Sequence, residues 1–274
     1  MKHRFALAAA LASLVALGSI GPVAAFQPNS QTNEMEDWTG PQQPVGPGQQ
    51  AMAAKKLDLE AQFAKDAAAR ASGEVTVAAA TTESYLVGTW ERQQVNYYYC
   101  GPTAIQVEAD YVWNMGPDMV KWKQSQISAN WTHTTTAGTE GVAELRGANG
   151  VLVGSPRASW PYFLPPPLTS GADWFNKLKT DLVLRMPQIV NLQPWWYSSS
   201  QGFWYYLVDW AGTRSTGGHW IVANGYSGVW DGTQGPDVRF DDGSAGYGGS
   251  TGTYWDNQYD MWQLILHHHG IVLW

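Results

Sequence analysis

The hydrophobic and polar positions divide the chain into stretches of different character. The first has a basic start, a mostly apolar run over residues 5–20, and the small residues Val23-Ala24-Ala25. This layout predicts a secretory signal peptide over residues 1–25, cleaved after Ala25. A membrane anchor is the alternative, but the run is shorter than the ~20 residues that a span needs. We therefore expect a secreted protein with no membrane partner after cleavage.

The next stretches are polar and then helical. Residues 26–50 are rich in Gln, Pro, Asn and Gly and carry almost no aliphatic side chains, which predicts a disordered spacer. Over residues 51–71, apolar side chains recur at helical spacing in an Ala-rich background, which predicts an amphipathic helix. Two interpretations of this helix stay open. It is either a solvated spacer or a pro-segment that docks on the downstream domain, so that residues 26–84 form a spacer with one helix.

From residue 85 to residue 274 the pattern is that of one compact domain. Pro102 indicates a helix start, because its missing N–H costs nothing at the first helical position. Apolar spacing predicts another helix over residues 172–184. Strand-like runs follow at residues 188–192, 203–208, 220–226, 238–241 and 263–272. Helices first and antiparallel strands afterwards indicate the α+β class.

Composition and charge narrow the function classes. The 274 residues carry a formal net charge of −7, which argues against a nucleic-acid partner because phosphate binding needs a basic face. The single Cys excludes an internal disulfide and a zinc site built from several thiolates. Secreted proteins usually use cysteines in pairs. The unpaired Cys100 is therefore either buried and inert or reactive.

The surroundings of Cys100 favour a reactive thiol. It falls at the predicted helix start, where free N–H groups and the helix dipole stabilise a thiolate, the nucleophilic species. Gly101 removes side-chain bulk beside the sulfur, and we expect this to let a substrate carbonyl approach. Gln94, six residues earlier, can offer its amide N–H to an oxyanion together with the backbone N–H of Cys100.

A thiol nucleophile needs a base, and His219 is the best placed candidate. It opens the alternating run of residues 219–226, and a turn-rich segment then leads to Asp241-Asp242-Gly243. If the two runs pair as a hairpin, the chain returns beside His219 near residues 241–244. An acid there would orient the imidazole through its second nitrogen. Side chains alternate along a strand, so the register decides between Asp241 and Asp242 and leaves both open.

These residues carry a resemblance to a known family. Residues 85–274 resemble the papain-like cysteine peptidases, specifically family thirty-nine of the bacteriocin-processing peptidases and its secreted relatives. The resemblance implies a papain-like α+β fold, with the Cys on an N-terminal helical part and the His and Asp on an antiparallel sheet. It also implies Cys100 as nucleophile, His219 as general base and acid, Asp242 (alternatively Asp241) as its orienter, and Gln94 as oxyanion donor. Tyr99 departs from the acidic residue that transporter-linked members carry before the Cys. The resemblance therefore supports the catalytic set and not the substrate.

The function expected from these observations is hydrolysis of peptide or amide bonds through an acyl-enzyme, with a peptide or protein substrate and no metal or organic cofactor. Alternatives on the same scaffold are a cell-wall amidase acting on wall peptides, an acyltransferase, and a non-catalytic peptide-binding protein with an idle thiol. Aromatic runs at residues 97–99, 195–197 and 204–206 are expected to serve core and sheet faces, with a stacking surface for peptide or carbohydrate as the alternative. His267-His268-His269 lie in a strand-like stretch whose alternation argues against a three-ligand metal site.

Overall fold

The structure is a computed structural model. It describes residues 47–72, 84–165, 168–212, 217–230, 237–244 and 247–274. The predicted signal peptide over residues 1–25, most of the predicted disordered spacer over residues 26–50, and residues 73–83 lie outside the described residues. Among the described residues, no helix combines the length and apolar character that a membrane span requires.

Six α-helices occur in the described residues, and two short turns of other helical types accompany them. In chain order the helices are α1 (Pro47–Ala71), α2 (Cys100–Val112), α3 (Gln124–Ile127), α4 (Gly141–Leu152), α5 (Gly171–Val183) and α6 (Gln258–Leu266). A π-helical turn at Ser128–Thr132 follows α3, and a 3-10 turn at Val208–Trp210 lies between the strands at residues 203–206 and 219–227.

The strands form one six-stranded sheet and one separate hairpin, and all pairings are antiparallel. They are β1 (Ser84–Leu86), β2 (Gln188–Leu192), β3 (Trp195–Ser198), β4 (Phe203–Tyr206), β5 (His219–Ser227), β6 (Asp237–Asp242), β7 (Gly252–Asn257) and β8 (Val272–Leu273). The sheet runs β7-β6-β5-β2-β8, β1 pairs with the end of β5, and β3 pairs with β4. The chain is therefore α+β with an antiparallel sheet, as the sequence predicts.

The central strands are covered on both faces. Along β5, Ile221 and Ala223 pack against α5 and α6, whereas Trp220 and Val222 pack against α2 and α4. This alternation follows from the two-residue period of a strand. Because both faces are buried, β2 and β5 read as nearly continuous apolar runs, which made them recognisable in the sequence.

Most predicted elements are confirmed, and one is wrong. The helix starting at Cys100, the helix over residues 172–184, and the strands at residues 188–192, 220–226 and 238–241 all occur. The predicted strand 203–208 is shorter, because the chain enters the 3-10 turn at Val208. The predicted strand 263–272 is instead the end of α6, a turn, and the short β8. Asn257 caps α6 by accepting hydrogen bonds from the backbone N–H groups of Tyr259 and Asp260, so local capping overrides the strand-like composition.

The long helix α1 packs on the domain along α5. Lys56 of α1 is fully buried, and its Nζ lies 2.8 Å from Oδ1 of Asp181 on α5. The same ammonium group donates to the carbonyl of Pro161 at 3.3 Å, and Glu60 forms an ion pair with Lys177 of α5. Helix α1 begins four residues before the predicted position and lies against the domain through these contacts.

Candidate active site

Cys100 is the first residue of α2 and is largely buried. Tyr99 precedes it as the N-cap and provides no side-chain hydrogen bond to the helix. The first N–H groups of a helix have no partner within the helix, so this end of α2 presents positive partial charge around the sulfur. Pro102 is the third helical residue and not the first, but its missing N–H still falls among these unpaired positions.

Gly101 serves a packing role that differs from the expected one. A Cβ atom at this position would collide with Thr139 and with the Glu144 carboxyl group of α4. The space beside Gly101 is therefore filled by the protein itself. The glycine lets the start of α2 approach residue 139 and α4. The prediction that this space admits a substrate carbonyl is therefore wrong.

His219 and Asp242 are in direct contact. His219 begins β5, Asp242 ends β6, and Nε2 of the imidazole lies 2.8 Å from Oδ1 of the carboxylate. Both side chains are buried. The backbone N–H of Ser244 donates to the same Oδ1 at 2.8 Å. The carboxylate therefore fixes the orientation of the imidazole ring and leaves Nδ1 as its second reactive nitrogen.

Asp241, the alternative orienter, is engaged elsewhere. Its Oδ2 accepts a hydrogen bond from the hydroxyl of Thr89 at 2.5 Å, and its Oδ1 accepts one from Thr253 at 2.6 Å. Burial raises the pKa of Asp241, and these hydroxyl donors offset only part of that effect. Asp242, and not Asp241, is thus the carboxylate in contact with His219.

The charges around His219 favour its protonated form. Burial by itself would lower the pKa of His219, but the charge and hydrogen bond of Asp242, together with the adjacent Cys100 side chain, raise it to about 10. Burial would raise the pKa of Asp242, but His219 and the donors of Trp210 and Ser244 lower it. The structure thus places the imidazole of His219 against the carboxylate of Asp242, and the Cys100 side chain is close enough to contribute to the raised pKa of His219.

Trp210 is a site residue that sequence reasoning missed. Its indole Nε1–H donates to Oδ2 of Asp242 at 2.9 Å, and its ring centroid lies 5.2 Å from that of His219. The 3-10 turn after β4 places it there. The only signal in the sequence is its position after the third aromatic run, which does not distinguish it from the other tryptophans.

Gln94 lies on the segment that leads into α2. Its buried side chain donates through Nε2 to the carbonyl of Asn96 at 2.5 Å, and its backbone N–H donates to the carbonyl of Gly243 at 2.7 Å. An amide nitrogen carries two protons, so one N–H remains beyond the bond to Asn96. A Cβ atom at Gly243 would collide with the carbonyl of Arg92 and with Thr103 of α2. These close approaches hold the end of β6 against the start of α2.

Two further acids lie near the site, the buried Glu144 and the half-buried Asp209, and no sequence pattern singles them out. Burial, and then the proximity of Cys100, raise the pKa of Glu144 well above its usual value, and neither of its oxygens has a hydrogen-bond partner among the described residues. We treat Glu144 as a neutral carboxylic acid. Burial, and then the charge of Asp242, raise the pKa of Asp209 to about 7.

The three consecutive histidines follow α6 and do not lie in a strand. The His267 ring stacks on Trp196 with centroids 3.4 Å apart. The His268 ring packs so closely on Gly218 that a Cβ there would collide with it. Burial, and then His269, lower the pKa of His268 to about 3, so a neutral imidazole lies beside the residue that precedes His219. The strand alternation used to interpret these residues was therefore wrong.

The arrangement can support nucleophilic chemistry. It contains a thiol at a helix start, an imidazole whose pKa that thiol side chain helps to raise, and a carboxylate that orients the imidazole. In comparisons with protein-family models, with curated proteins and with solved structures, the chain matches none of them.

Proposed function

We propose that this protein is a secreted thiol hydrolase of the papain-like type, which cleaves peptide or amide bonds through an acyl-enzyme intermediate. The observation that carries the proposal is the position of His219, with Nε2 bonded to Asp242 and the Cys100 side chain adjacent. A neutral imidazole and a buried thiol would need no such carboxylate. A buried carboxylate in this position is suited to stabilising the imidazolium of a thiolate–imidazolium pair.

In the acylation step, Sγ of Cys100 attacks the carbonyl carbon of the substrate and a C–S bond forms. The carbonyl oxygen takes up the electron pair and becomes an oxyanion, which the backbone N–H of Cys100 and the second N–H of Gln94 stabilise. The oxyanion then re-forms the carbonyl, and the C–N bond breaks. His219 gives its proton to the leaving amine, and a thioester on Cys100 remains.

In the deacylation step, the neutral imidazole of His219 takes a proton from a water molecule that attacks the thioester. The C–S bond breaks, the carboxylic acid product leaves, and Cys100 returns as a thiolate beside the imidazolium. The buried carboxylate of Asp242 keeps the ring orientation through both steps and stabilises the positive charge whenever His219 is protonated.

A cell-wall amidase is the second candidate function. The exposed aromatic side chains of the β3–β4 hairpin favour it, because this hairpin connects directly to both β2 and Trp210 at the site. Both candidate functions use the same thiol chemistry and differ only in the molecule that carries the scissile amide.

Alkylation by iodoacetamide tests the thiol chemistry. The chain has one cysteine, so every label reports on Cys100. We expect rapid labelling at pH 6 in the parent protein and loss of that rapid phase in His219→Ala. His133→Asn is the matched control, because His133 is exposed and has a positive φ of 48° that asparagine tolerates.

Mass spectrometry of a peptide library incubated with the protein tests the hydrolysis. We expect new cleavage products from the parent and none from Cys100→Ala. If His219→Ala labels as fast as the parent at pH 6 and the library stays uncut, the proposal is wrong and the chain is a binding protein with an idle thiol.

A further inference from the structure

The β3–β4 hairpin has two aromatic faces, and only one of them contributes a side chain to the buried core. In this hairpin Trp196 pairs with Tyr205 and Tyr197 pairs with Trp204. Because neighbouring pairs along a hairpin point to opposite faces, the aromatic residues separate into two sets. We call the set on one side the outer aromatic face, and its members are Trp195, Tyr197, Trp204 and Tyr206.

The other face accounts for the folding role of the hairpin. Tyr205 is fully buried in the core cluster that contains α5 and α6, and Trp196 stacks on His267 after α6. These contacts attach the hairpin to the domain. The outer aromatic face is therefore not required for that attachment.

The outer aromatic face is exposed and already ordered. Tyr197, Trp204 and Tyr206 keep 42%, 40% and 42% of their surface accessible. Trp195 stacks on Trp204 with centroids 3.7 Å apart and rings inclined by 24°, and Tyr197 lies 4.3 Å from the same indole. Because the stacked rings already have restricted rotamers, a ligand that binds the outer aromatic face orders few side chains and the entropic cost of binding is small.

The charges near the outer aromatic face indicate which class of ligand it binds. No charged residue occurs from position 187 to position 208, so the hairpin offers no cation to a phosphate group. Acidic side chains flank its base, with Asp209 directly after it and Asp256 accepting a hydrogen bond from the N–H of Val208 at 2.9 Å. Nucleic acids and anionic lipid surfaces both need basic residues at the contact, so this neutral, acid-flanked surface disfavours both.

The tip of the hairpin adds uncharged hydrogen-bonding groups. Residues 198–201 are three serines and a glutamine, and Gly202 has a φ of 77° that closes the turn. Phenol and indole groups combine an apolar ring with a polar edge. Sugar rings have the complementary character, with C–H groups on their faces and hydroxyl groups around their edges.

We propose that the outer aromatic face binds a neutral glycan chain, with its pyranose rings stacked on Trp204 and Trp195. The hairpin starts just after Leu192, which pairs with His219 across the sheet, and Leu207 donates to the carbonyl of Pro194 to close its base. A glycan bound to this hairpin lies next to the candidate active site. If the proposed thiol chemistry is correct, the scissile amide then belongs to a peptide attached to that glycan; the glycan binding itself does not depend on this chemistry.

Binding to chitohexaose and cellohexaose, followed by intrinsic tryptophan fluorescence and calorimetry, tests the proposal. The full chain with Cys100→Ala is used, so that any hydrolysis is absent. We expect saturable binding of at least one oligosaccharide, and a Kd about tenfold higher in Trp204→Ala. The matched control is Trp255→Ala on β7, because the 41% exposure of Trp255 is close to the 40% of Trp204, and the Kd of this variant should change by less than about twofold.

A conservative variant guards against misfolding. Trp204→Tyr keeps an aromatic ring on the outer aromatic face and should retain most of the affinity. Circular dichroism checks that all variants are folded. The proposal is overturned if neither oligosaccharide binds, or if Trp204→Ala and Trp255→Ala lose affinity equally. The proposal is also overturned if the outer aromatic face binds phospholipid vesicles or unglycosylated peptides and does not bind the oligosaccharides. Peptide cleavage by the parent in the presence of any of these outcomes would leave the thiol hydrolase intact.

Discussion

Asp242 and Asp181 are both fully buried aspartates that face a cationic nitrogen at 2.8 Å, yet their environments act in opposite directions. Asp242 faces His219 at the candidate site, and its pKa is lowered although burial alone would raise it. Asp181 faces Lys56 beneath α1, and burial outweighs the attraction of the ammonium group and raises its pKa to about 6.

The number and quality of donors explain the difference. Besides His219, Asp242 accepts hydrogen bonds from the indole of Trp210 at 2.9 Å and from the N–H of Ser244 at 2.8 Å. Among the described residues, the partners of Asp181 are the amide of Gln188, at 3.2 Å, and Lys56. A buried carboxylate is favourable in its charged form only when donors replace the water it has lost. The first pair is therefore organised to hold a charge, and the second holds a helix in place.

The largest effect is expected for Asp242→Asn. The amide cannot stabilise an imidazolium and favours the wrong tautomer of His219, so peptide cleavage should fall by a factor on the order of 10⁴. Rapid alkylation of Cys100 at pH 6 should disappear with it. Asp241→Asn and Asp181→Asn are the controls and should leave alkylation unchanged. Equal loss in Asp241→Asn would contradict the assignment of Asp242.

Lys56→Met should mainly affect stability. It leaves Asp181 buried without its cation, and breaking such a buried pair costs about 3–5 kcal/mol. Urea denaturation should show this loss in the free energy of unfolding, with the alkylation of Cys100 in the folded protein unchanged. The double variant Lys56→Met/Asp181→Asn should recover most of the loss. If the double variant is as unstable as the single one, the ion pair does not carry the docking of α1.

Trp210→Phe should have an intermediate effect on activity. It keeps a ring against His219 but removes the indole donor to Asp242, and a hydrogen bond to a charged group contributes about 1.5–3 kcal/mol. We expect a lower kcat and, because the indole donor lowers the pKa of Asp242, an acidic limb of the cleavage pH profile that moves to higher pH, measured from that profile and by NMR of the Asp242 carboxylate. Trp274→Phe is the control, because the buried Nε1 of Trp274 has no hydrogen-bond partner among the described residues. An unchanged pH profile in Trp210→Phe would reduce its role to packing.

The smallest effect is expected from pH in the parent protein. Because His219 stays protonated up to a pKa of about 10, alkylation of Cys100 should change by less than about threefold between pH 6 and pH 9. In Asp242→Asn the rate should rise steeply over the same range. A parent rate that rises as steeply as that of the variant would remove the imidazolium from the mechanism.

The raised pKa of His219 also means that its contribution to stability is complete below about pH 6.5 and is lost as the pH rises through about 10.

Much of the fold could be predicted from local patterns. The helix at Cys100 and the helix over residues 171–183 have clear start signals and apolar spacing, and the central strands are continuous apolar runs. Residues 263–266 were mistaken for the start of a strand over residues 263–272, whereas Asn257 caps a helix that includes them. Local composition fails where a single cap decides the conformation.

The local sequence pattern does not contain the strand register that decides whether Asp241 or Asp242 contacts His219. Near the turn, Tyr226 pairs with Val238, and continuing that register would place Val222 opposite Asp242. A bulge between Ala223 and Gly225 shifts the pairing by one residue, so that Val222 lies opposite Asp241. Because side chains alternate along a strand, this one-residue shift turns Asp242 to the face of His219.

The sequence by itself determined the elements and the candidate chemistry, because helix starts, strand runs and the lone cysteine are local features. The tertiary structure decided which residues meet. The bulge selected Asp242, the turn after the aromatic hairpin brought Trp210 to that carboxylate, and Lys56 attached α1 to α5. It also separated the aromatic residues into a packed face and an exposed one. These outcomes depend on strand register and on contacts between residues far apart in the chain, which no local pattern encodes.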